Sequence, residues 1–166
     1  IADPAGQIAV LTPLATYDAT VVASDAPIGG AIATVQAATA TLCRQAALLS
    51  LASACADWQP SSSNDAQAMR TRIGGMLDDA ATAAADAGSD ATFQALRSLR
   101  AQVLQDLANR GARLPDVITV TRTAPLPALA LAQQLYANGA RAPDLIRRAN
   151  PIHPAFMPTE FEALSS

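Results

Sequence analysis

Few side chains in this sequence could carry chemistry, and their spacing does not bring them together. His153 is the only histidine, so a nucleophile–histidine–acid triad would depend on it, yet no G-x-S-x-G element accompanies it. A metal site needs a cluster of ligands, which one histidine and two distant cysteines do not supply. We therefore expect no enzyme active site, no cofactor and no metal ion.

The two cysteines, Cys43 and Cys55, fall within one predicted helix. On a helix they would lie roughly 18 Å apart along the axis, which is beyond the reach of a disulfide. We expect both to be small, buried thiols of a cytoplasmic protein.

The acidic residues also lack the arrangement that general acid–base catalysis requires. Asp78 and Asp79 are adjacent in a predicted helix, so their side chains diverge and should be solvated. Glu160 and Glu162 could share one face of a strand, but no pocket is implied around them. These carboxylates are expected to form a charged surface.

The charge balance argues against direct binding of nucleic acid. The formal net charge is −3, and every basic residue is an arginine. The arginines occur in scattered pairs, each with acidic residues nearby: Arg70 and Arg72, Arg97 and Arg100, Arg110 and Arg113, Arg147 and Arg148. Phosphate binding depends on positive charge clustered on one surface. We therefore expect this segment not to contact nucleic acid, unless the fold brings the arginine pairs together on one surface.

The composition predicts alanine-rich helices around a thin core. Hydrophobic residues make up 51% of the chain but aromatic residues only 4%. Alanine favours helices yet buries little area, so neighbouring subunits would have to supply part of the apolar contact. We therefore expect the chain to associate with further copies of itself. No stretch is long and apolar enough for a membrane helix, so we expect no membrane contact.

The predicted fold is mainly α and starts with an extended segment. Residues 1–25 are rich in β-branched residues and contain Pro13, which favours short extended pieces. A long helix then begins at Pro27, capped by Asp25, and continues to about Trp58. Apolar and small residues recur along it in alternating steps of four and three: Ile28, Ile32, Val35, Thr39, Leu42, Ala46, Leu49, Ser53 and Ala56. This 3.5-residue period is typical of helices packed nearly parallel to partners, either as core or as a subunit interface.

Two further helices complete the bundle. One is predicted from Asp65 to Ala87 and the next from Asp90 to about Asn109, each with an acidic residue in or before its first turn. Because the connections are short, residues 26–112 should form a three-helix antiparallel bundle. Gly74 and Gly75, inside the second of these helices, indicate either a close crossing or a kink.

Residues 113–166 have a different character. A β-branched run at residues 117–123 predicts a short strand, and two short helices should follow, the first ending near Tyr136 and the second spanning Pro143 to Ala149. The prolines after Asn150 favour an extended C-terminal tail. We expect this region to pack on the bundle or on a neighbour.

Several segments of the second half resemble one known family in the same order. They are residues 93–100 (FQALRSLR), 113–115 (RLP), 126–136 (LPALALAQQLY) and 149–158 (ANPIHPAFMP). The proline–leucine helix that ends in Leu-Tyr and the closing His-Pro-x-Phe-x-Pro are the most distinctive. Over roughly residues 65–164 the chain resembles the C-terminal region of the DNA circularization (circulation) proteins of Mu-like phages.

The resemblance implies a structural component of a contractile phage or prophage tail, in the baseplate. Such a protein would reside in the virion tail, and in the host cytoplasm during assembly. Its partners would be further copies of itself and other tail or baseplate proteins. Members of that family are longer, so an N-terminal domain is expected to precede this segment.

Ten residues are candidates for contact with a partner, because an apolar, extended tail commonly docks on a neighbour. They are Leu126, Leu129, Leu135, Tyr136, Ile152, His153, Phe156, Met157, Phe161 and Leu164. The alternative function is a DNA-binding module that protects or circularises phage genome ends.

Overall fold

The computed structural model describes residues 3–20 and 26–165, and these residues are mainly helical, as predicted. The α-helices are α1 (Pro4–Ala15), α2 (Pro27–Asp57), α3 (Ser63–Asp86), α4 (Asp90–Gly111), α5 (Ala128–Tyr136) and α6 (Ala142–Ala149). The strands β1 (Val117–Thr121) and β2 (Glu160–Leu164) form one antiparallel pair. The chain divides into two compact units, the first of Ile1–Pro60 and Ala66–Arg110, the second of Ser61–Asp65 and Gly111–Ser166.

Helix α1 corrects the prediction that residues 1–25 are extended. The carboxylate of Asp3 accepts hydrogen bonds from the backbone N–H groups of Ala5 and Gly6, and Pro4 occupies the first helical position. Ile8 is buried in the core of the first unit. The cap and this tertiary contact outweigh the β-propensity of the segment, and Pro13 lies so near the helix end that it interrupts little of it. Residues 21–25 of the predicted segment, including the proposed cap Asp25, lie outside the described residues.

Helices α2, α3 and α4 form the predicted helical bundle of the first unit. Each helix contributes fully or nearly fully buried apolar side chains to one core: Leu48, Leu51 and Cys55 from α2, Ile73 and Leu77 from α3, and Leu96 and Leu107 from α4. On α4, the partly buried side chains of Phe93, Leu99, Val103 and Leu104 also pack against this core. On α3 the buried face continues to Ala81 and Ala84, as the 3.6-residue period of an α-helix requires.

The end of α2 is tied to α4 by one arginine. The guanidinium of Arg110 donates hydrogen bonds to the backbone carbonyls of Cys55, at 2.9 Å, and of Trp58. It also forms an ion pair with Asp106, one turn earlier on α4. These carbonyls are among those that a helix end leaves without an intrahelical partner, so Arg110 acts as a cap supplied by another helix.

The second unit is built around the β1–β2 pair. Its register joins Val117 to Leu164 and Thr121 to Glu160, and Val120 faces Phe161 across the pair. The C-terminal tail is therefore not simply extended, because it turns after Pro151 and ends as a paired strand. The core consists of buried side chains from α5, α6, the strands and the segment before β2, among them Leu131, Leu145, Met157, Phe161 and Ala163.

Residues 61–65 belong to the second unit through specific hydrogen bonds. The N–H of Ser63 donates to the carbonyl of Pro115 at 3.1 Å, and the N–H of Val117 donates to the side-chain oxygen of Asn64 at 2.8 Å. Ser63 also donates its hydroxyl to the carboxylate of Asp116. The polar run before α3 thus anchors the start of β1, which the sequence alone did not indicate.

Candidate partner-binding surface

The structure divides the ten predicted partner residues into two groups. Six are buried or partly buried: Met157 and Phe161 lie in the core of the second unit, Leu126, Leu135 and Tyr136 pack against that core, and Leu164 is also buried. Four lie on the surface: Leu129, Ile152, His153 and Phe156. We call these four residues the apolar tip. Of the ten predicted residues, only these four expose their side chains to another molecule.

The tip is exposed to an unusual extent for apolar side chains. Ile152 is 107% exposed, Phe156 71% and Leu129 64%. Single exposed apolar residues are ordinary on protein surfaces, but a group of them often marks a site of protein–protein contact. The phenyl ring of Phe156 lies 6.1 Å from the imidazole of His153, between ring centroids, at a tilt of 49°.

A tight turn holds three of the tip residues. The carbonyl of His153 accepts a hydrogen bond from the N–H of Phe156 at 2.9 Å, which closes the turn over Pro154 and Ala155. The Nδ1 atom of His153 accepts a second hydrogen bond, from the N–H of Ala155 at 3.1 Å. The histidine is therefore a structural part of the turn.

The same turn is fixed to the start of α5. The N–H of Ala128 donates to the carbonyl of Pro154 at 2.8 Å, and the N–H of Met157 donates to the carbonyl of Leu126 at 3.0 Å. Met157 is fully buried, so it anchors the chain just after Phe156. These contacts connect the turn to Leu129, which follows Ala128 on α5.

Tyr136 connects elements within the second unit. Its hydroxyl accepts a hydrogen bond from the N–H of Leu164 at 3.0 Å, which joins the end of α5 to β2. The guanidinium of Arg141 lies over its ring, 3.8 Å from the centroid, as a cation–π pair. Tyr136 was predicted as a partner residue, whereas its observed contacts are internal to the unit.

A polar cluster at the start of α3 was not predicted as a unit. Ser61 donates to the carboxylate of Asp65 at 2.5 Å, and Arg148 of α6 donates to the hydroxyl of Ser61 at 2.9 Å. The buried hydroxyl of Ser62 accepts the N–H of Asp65 at 3.1 Å and so caps the helix. The Ser-Ser-Ser-Asn-Asp run signals a cap in the sequence, but its pairing with Arg148 spans too many residues to be read from local pattern.

The electrostatics of this cluster favour the ionised carboxylate. Burial by itself raises the pKa of Asp65, but the hydroxyls of Ser61 and Ser62 and the charge of Arg148 together outweigh it, so the pKa lies below its ordinary value. The cluster contains two hydroxyls, a carboxylate and a guanidinium, and their mutual hydrogen bonds stabilise the start of α3.

The residues considered for chemistry stay apart in the structure. His153 is exposed, and within the described part of the chain its hydrogen bonds and ring contact are those of the turn. Within residues 3–20 and 26–165, no three histidine, cysteine or acidic side chains are grouped as metal ligands would be.

The two cysteines differ in their surroundings. Both thiols are free, and Cys55 is buried as predicted, but Cys43 is exposed, which corrects the expectation for that residue. Cys43 lies on the outer side of α2, whereas Cys55 lies on its core side. Burial raises the pKa of Cys55 to about 11, a rise that the positive charge of Arg110 partly offsets.

At least six arginines are matched with aspartates rather than gathered on one surface. The observed pairs are Arg44 with Asp18, Arg100 with Asp78, Arg110 with Asp106, Arg141 and Arg147 with Asp144, and Arg148 with Asp65. Such pairing reduces the positive charge available to a phosphate backbone.

A second exposed apolar surface lies on α2 of the first unit. The stripe that the 3.5-residue period predicts as core or interface is exposed at every one of its positions from Ile28 to Ala56. The core side of α2 is instead formed by Ala47, Leu48, Leu51, Ala52, Ala54 and Cys55. The period identified an apolar face correctly, but the unit's own core uses the opposite one.

Among the helices that the structure describes, none has the length and apolar character needed to span a membrane. Compared with models of known protein families and with curated proteins, the sequence has no match.

Proposed function

We propose that this chain is a structural component of a contractile phage or prophage tail, in the baseplate, and that it acts through protein–protein contacts. Two observations support the proposal. The first is that the sequence segments described above resemble the circularization proteins of Mu-like phages. The second is that the two most distinctive of these segments contain the apolar tip: residues 126–136 include Leu129 of α5, and residues 149–158 include the turn with Ile152, His153 and Phe156.

The observation that carries the proposal is the combination of exposure and rigidity in the tip. Ile152 and Phe156 are exposed although four hydrogen bonds fix the turn and its attachment to α5. Because the tip is already ordered, a partner that covers it would lose little conformational entropy on binding. Full burial of each large apolar side chain would contribute about 1.5–3 kcal/mol, which is the range of an interface anchor.

The contacts of the tail determine how the proposal should be tested. Deleting residues 151–166 would remove Met157, Phe161 and Ala163 from the core, so it would unfold the second unit as well as remove the tip. Point substitutions at the exposed positions separate the two effects.

The test is incorporation of a double variant, Ile152→Ser with Phe156→Ser, into tail particles. A matched control is Val10→Ser with Leu14→Ser on α1, because these two apolar side chains are also exposed, at 64% and 51%. We expect the tip variant to fold normally by circular dichroism yet to be lost from purified tails, while the control is retained. Normal incorporation of the folded tip variant would contradict the proposal.

A further inference from the structure

Helix α2 is apolar on two opposite faces, and the first unit buries only the second half of one of them, from Ala47 to Cys55. Of its 31 residues only Arg44 and Asp57 are charged. Leu48, Leu51 and Cys55 face the core, and the stripe from Ile28 to Ala56 lies on the opposite side. A helix that is apolar nearly all round is normally buried nearly all round. The outer face is therefore expected to have an occupant.

The outer face has the pattern of a coiled-coil seam. Its positions alternate by four and three residues, and its large members are well exposed: Ile28 78%, Ile32 53%, Val35 64%, Leu42 66% and Leu49 53%. This spacing keeps one face of a helix turned toward a similar helix over several turns. A hollow of about 510 Å³ along the face could receive a partner's side chains; it is lined by Pro27, Ile28, Ala31, Ile32, Val35 and Gln36.

The residues flanking the seam suit a second copy of the same helix. On one side are Gly29, Gln36, Cys43 and Ser50, and on the other Ala31, Ala38 and Gln45. None is charged, so two copies would meet without repulsion between like charges. The glycine and alanines also permit a close approach of the two helix axes.

The area of the face is close to what a stable dimer needs. From their exposed fractions, the five large seam residues present about 600 Å² of accessible surface, and a standard interface buries about 800 Å² on each partner. The smaller exposed seam residues, Thr39, Ala46 and Ser53, and the flanking alanines can supply the difference.

The order of large and small residues indicates an antiparallel arrangement. The larger side chains are concentrated in the first half of the seam and the small ones, Ala46, Ser53 and Ala56, in the second. Antiparallel helices centred near residues 40–41 would place Ile28 opposite Ser53 and Val35 opposite Ala46. Three of the four kinds of layer would then contain one larger and one smaller side chain, and in the fourth Ile32 would face Leu49, so the space is filled along the whole seam. A parallel pair would leave gaps where the small residues face themselves.

We propose that the outer face of α2 binds α2 of a second copy of this chain, so that two chains form an antiparallel, two-fold symmetric dimer. This inference goes beyond the proposed function, since it concerns another surface and another partner than the apolar tip. Either can fail while the other holds.

Sedimentation equilibrium of the whole chain tests the dimer. We expect twice the mass of the chain at about 100 µM. The double variant Val35→Glu with Leu42→Glu should raise the dissociation constant about 100-fold or more, because each new charge would be buried against the apolar seam of the other chain. The matched control is Thr34→Glu with Thr41→Glu, one residue earlier in each case, exposed and off the seam. This control should remain dimeric.

Folding must be measured alongside association. Since Val35 and Leu42 are exposed in the chain, both double variants should keep their helicity by circular dichroism and keep the Cys55 thiol protected. A wild-type chain that stays monomeric, or folded double variants that weaken association equally, would overturn the proposal, even if another protein were found to cover the face.

Cross-linking tests the orientation. In a Cys43→Ser background, Ile28→Cys and Ser53→Cys chains are prepared separately, mixed and oxidised. The antiparallel dimer predicts a disulfide between the two different chains and little within either sample alone. Disulfides within each sample alone, and none between the two different chains in the mixture, would show a parallel pair and overturn the arrangement proposed here.

Discussion

Leu104 of α4 lies directly against Gly74 of α3, so closely that a Cβ atom on the glycine would be 3.3 Å from Cδ2 of the leucine. Gly75, the next residue, has open space where its Cβ would stand. Of the two explanations that the sequence left open for the glycine pair, the close crossing applies to Gly74. Gly75 has no packing role of this kind.

The two glycines should therefore respond differently to the same substitution. Gly75→Ala should stabilise the first unit by about 0.5–1 kcal/mol, because alanine favours the helix. Gly74→Ala gains the same propensity but must displace Leu104, so it should be less stable than Gly75→Ala by about 1 kcal/mol or more. Urea unfolding of the two variants measures the difference, and equal stabilisation would disprove the tight contact.

Sequence patterns were sufficient for the elements whose ends carry local signals. The limits of α2, α3 and α4 could be predicted because proline, serine and aspartate mark their starts and apolar residues repeat inside them. Helix α1 was not predicted, because the β-branched residues and Pro13 favour extended backbone, and the helix-start signal of Asp3 and Pro4 was not recognised. The decisive burial of Ile8 is a tertiary contact that no local pattern shows.

The candidate surface shows the same limit. An apolar tail was recognisable from the sequence, but the assignment of Met157 to the core and Phe156 to the surface depends on hydrogen bonds to Leu126 and Ala128, about thirty residues away. On α2, periodicity located an apolar face but could not show that the unit's own core uses the opposite one.

Arg110 should be more important for stability than a typical surface arginine. Arg110→Ala removes the hydrogen bonds to the carbonyls of Cys55 and Trp58 and should lower the free energy of unfolding by about 1.5–3 kcal/mol. Arg113 is exposed, and Arg113→Ala should change it by less than about 0.5 kcal/mol. Thermal and urea unfolding followed by circular dichroism give both values. If the two variants proved equally stable, the cap supplied by Arg110 would have no energetic role.

Asp65 should make stability depend on pH in the acidic range. Its pKa is lower in the folded chain than its ordinary value of 3.8, so the ionised carboxylate stabilises the fold above that value. This contribution is lost as the pH falls through the lower, folded pKa. Asp65→Asn should cost about 0.5–1 kcal/mol at neutral pH, because the side chain is partly exposed and the gain is screened by solvent.

The difference between Asp65→Asn and the unchanged chain should shrink as the pH falls through the lowered pKa of Asp65, because both chains then carry a neutral side chain at this position. Unfolding measured across the acidic range tests this. A difference that is constant with pH would mean that the ionised carboxylate contributes nothing. Arg148→Gln should also make the free energy of unfolding less dependent on pH in the acidic range, since it removes the positive charge beside Asp65.

The thiol of Cys55 should be inert in the folded chain. With its pKa raised to about 11 and its side chain buried, only about 0.1% would be thiolate near pH 8 even with free access to solvent. In a Cys43→Ser variant, which leaves Cys55 as the single thiol, iodoacetamide should label the protein only after denaturant is added. Rapid labelling under native conditions would contradict the buried position of Cys55.

The most direct test of the proposed tail function is to locate the chain in intact particles. Antibody against residues 111–166, coupled to gold, is applied to purified tails from the strain that encodes the chain, and the tails are imaged by electron microscopy. We predict label at the baseplate end of the tails. Tails that carry no label, while the same antibody finds the chain only in the soluble lysate, would contradict a structural role in the tail.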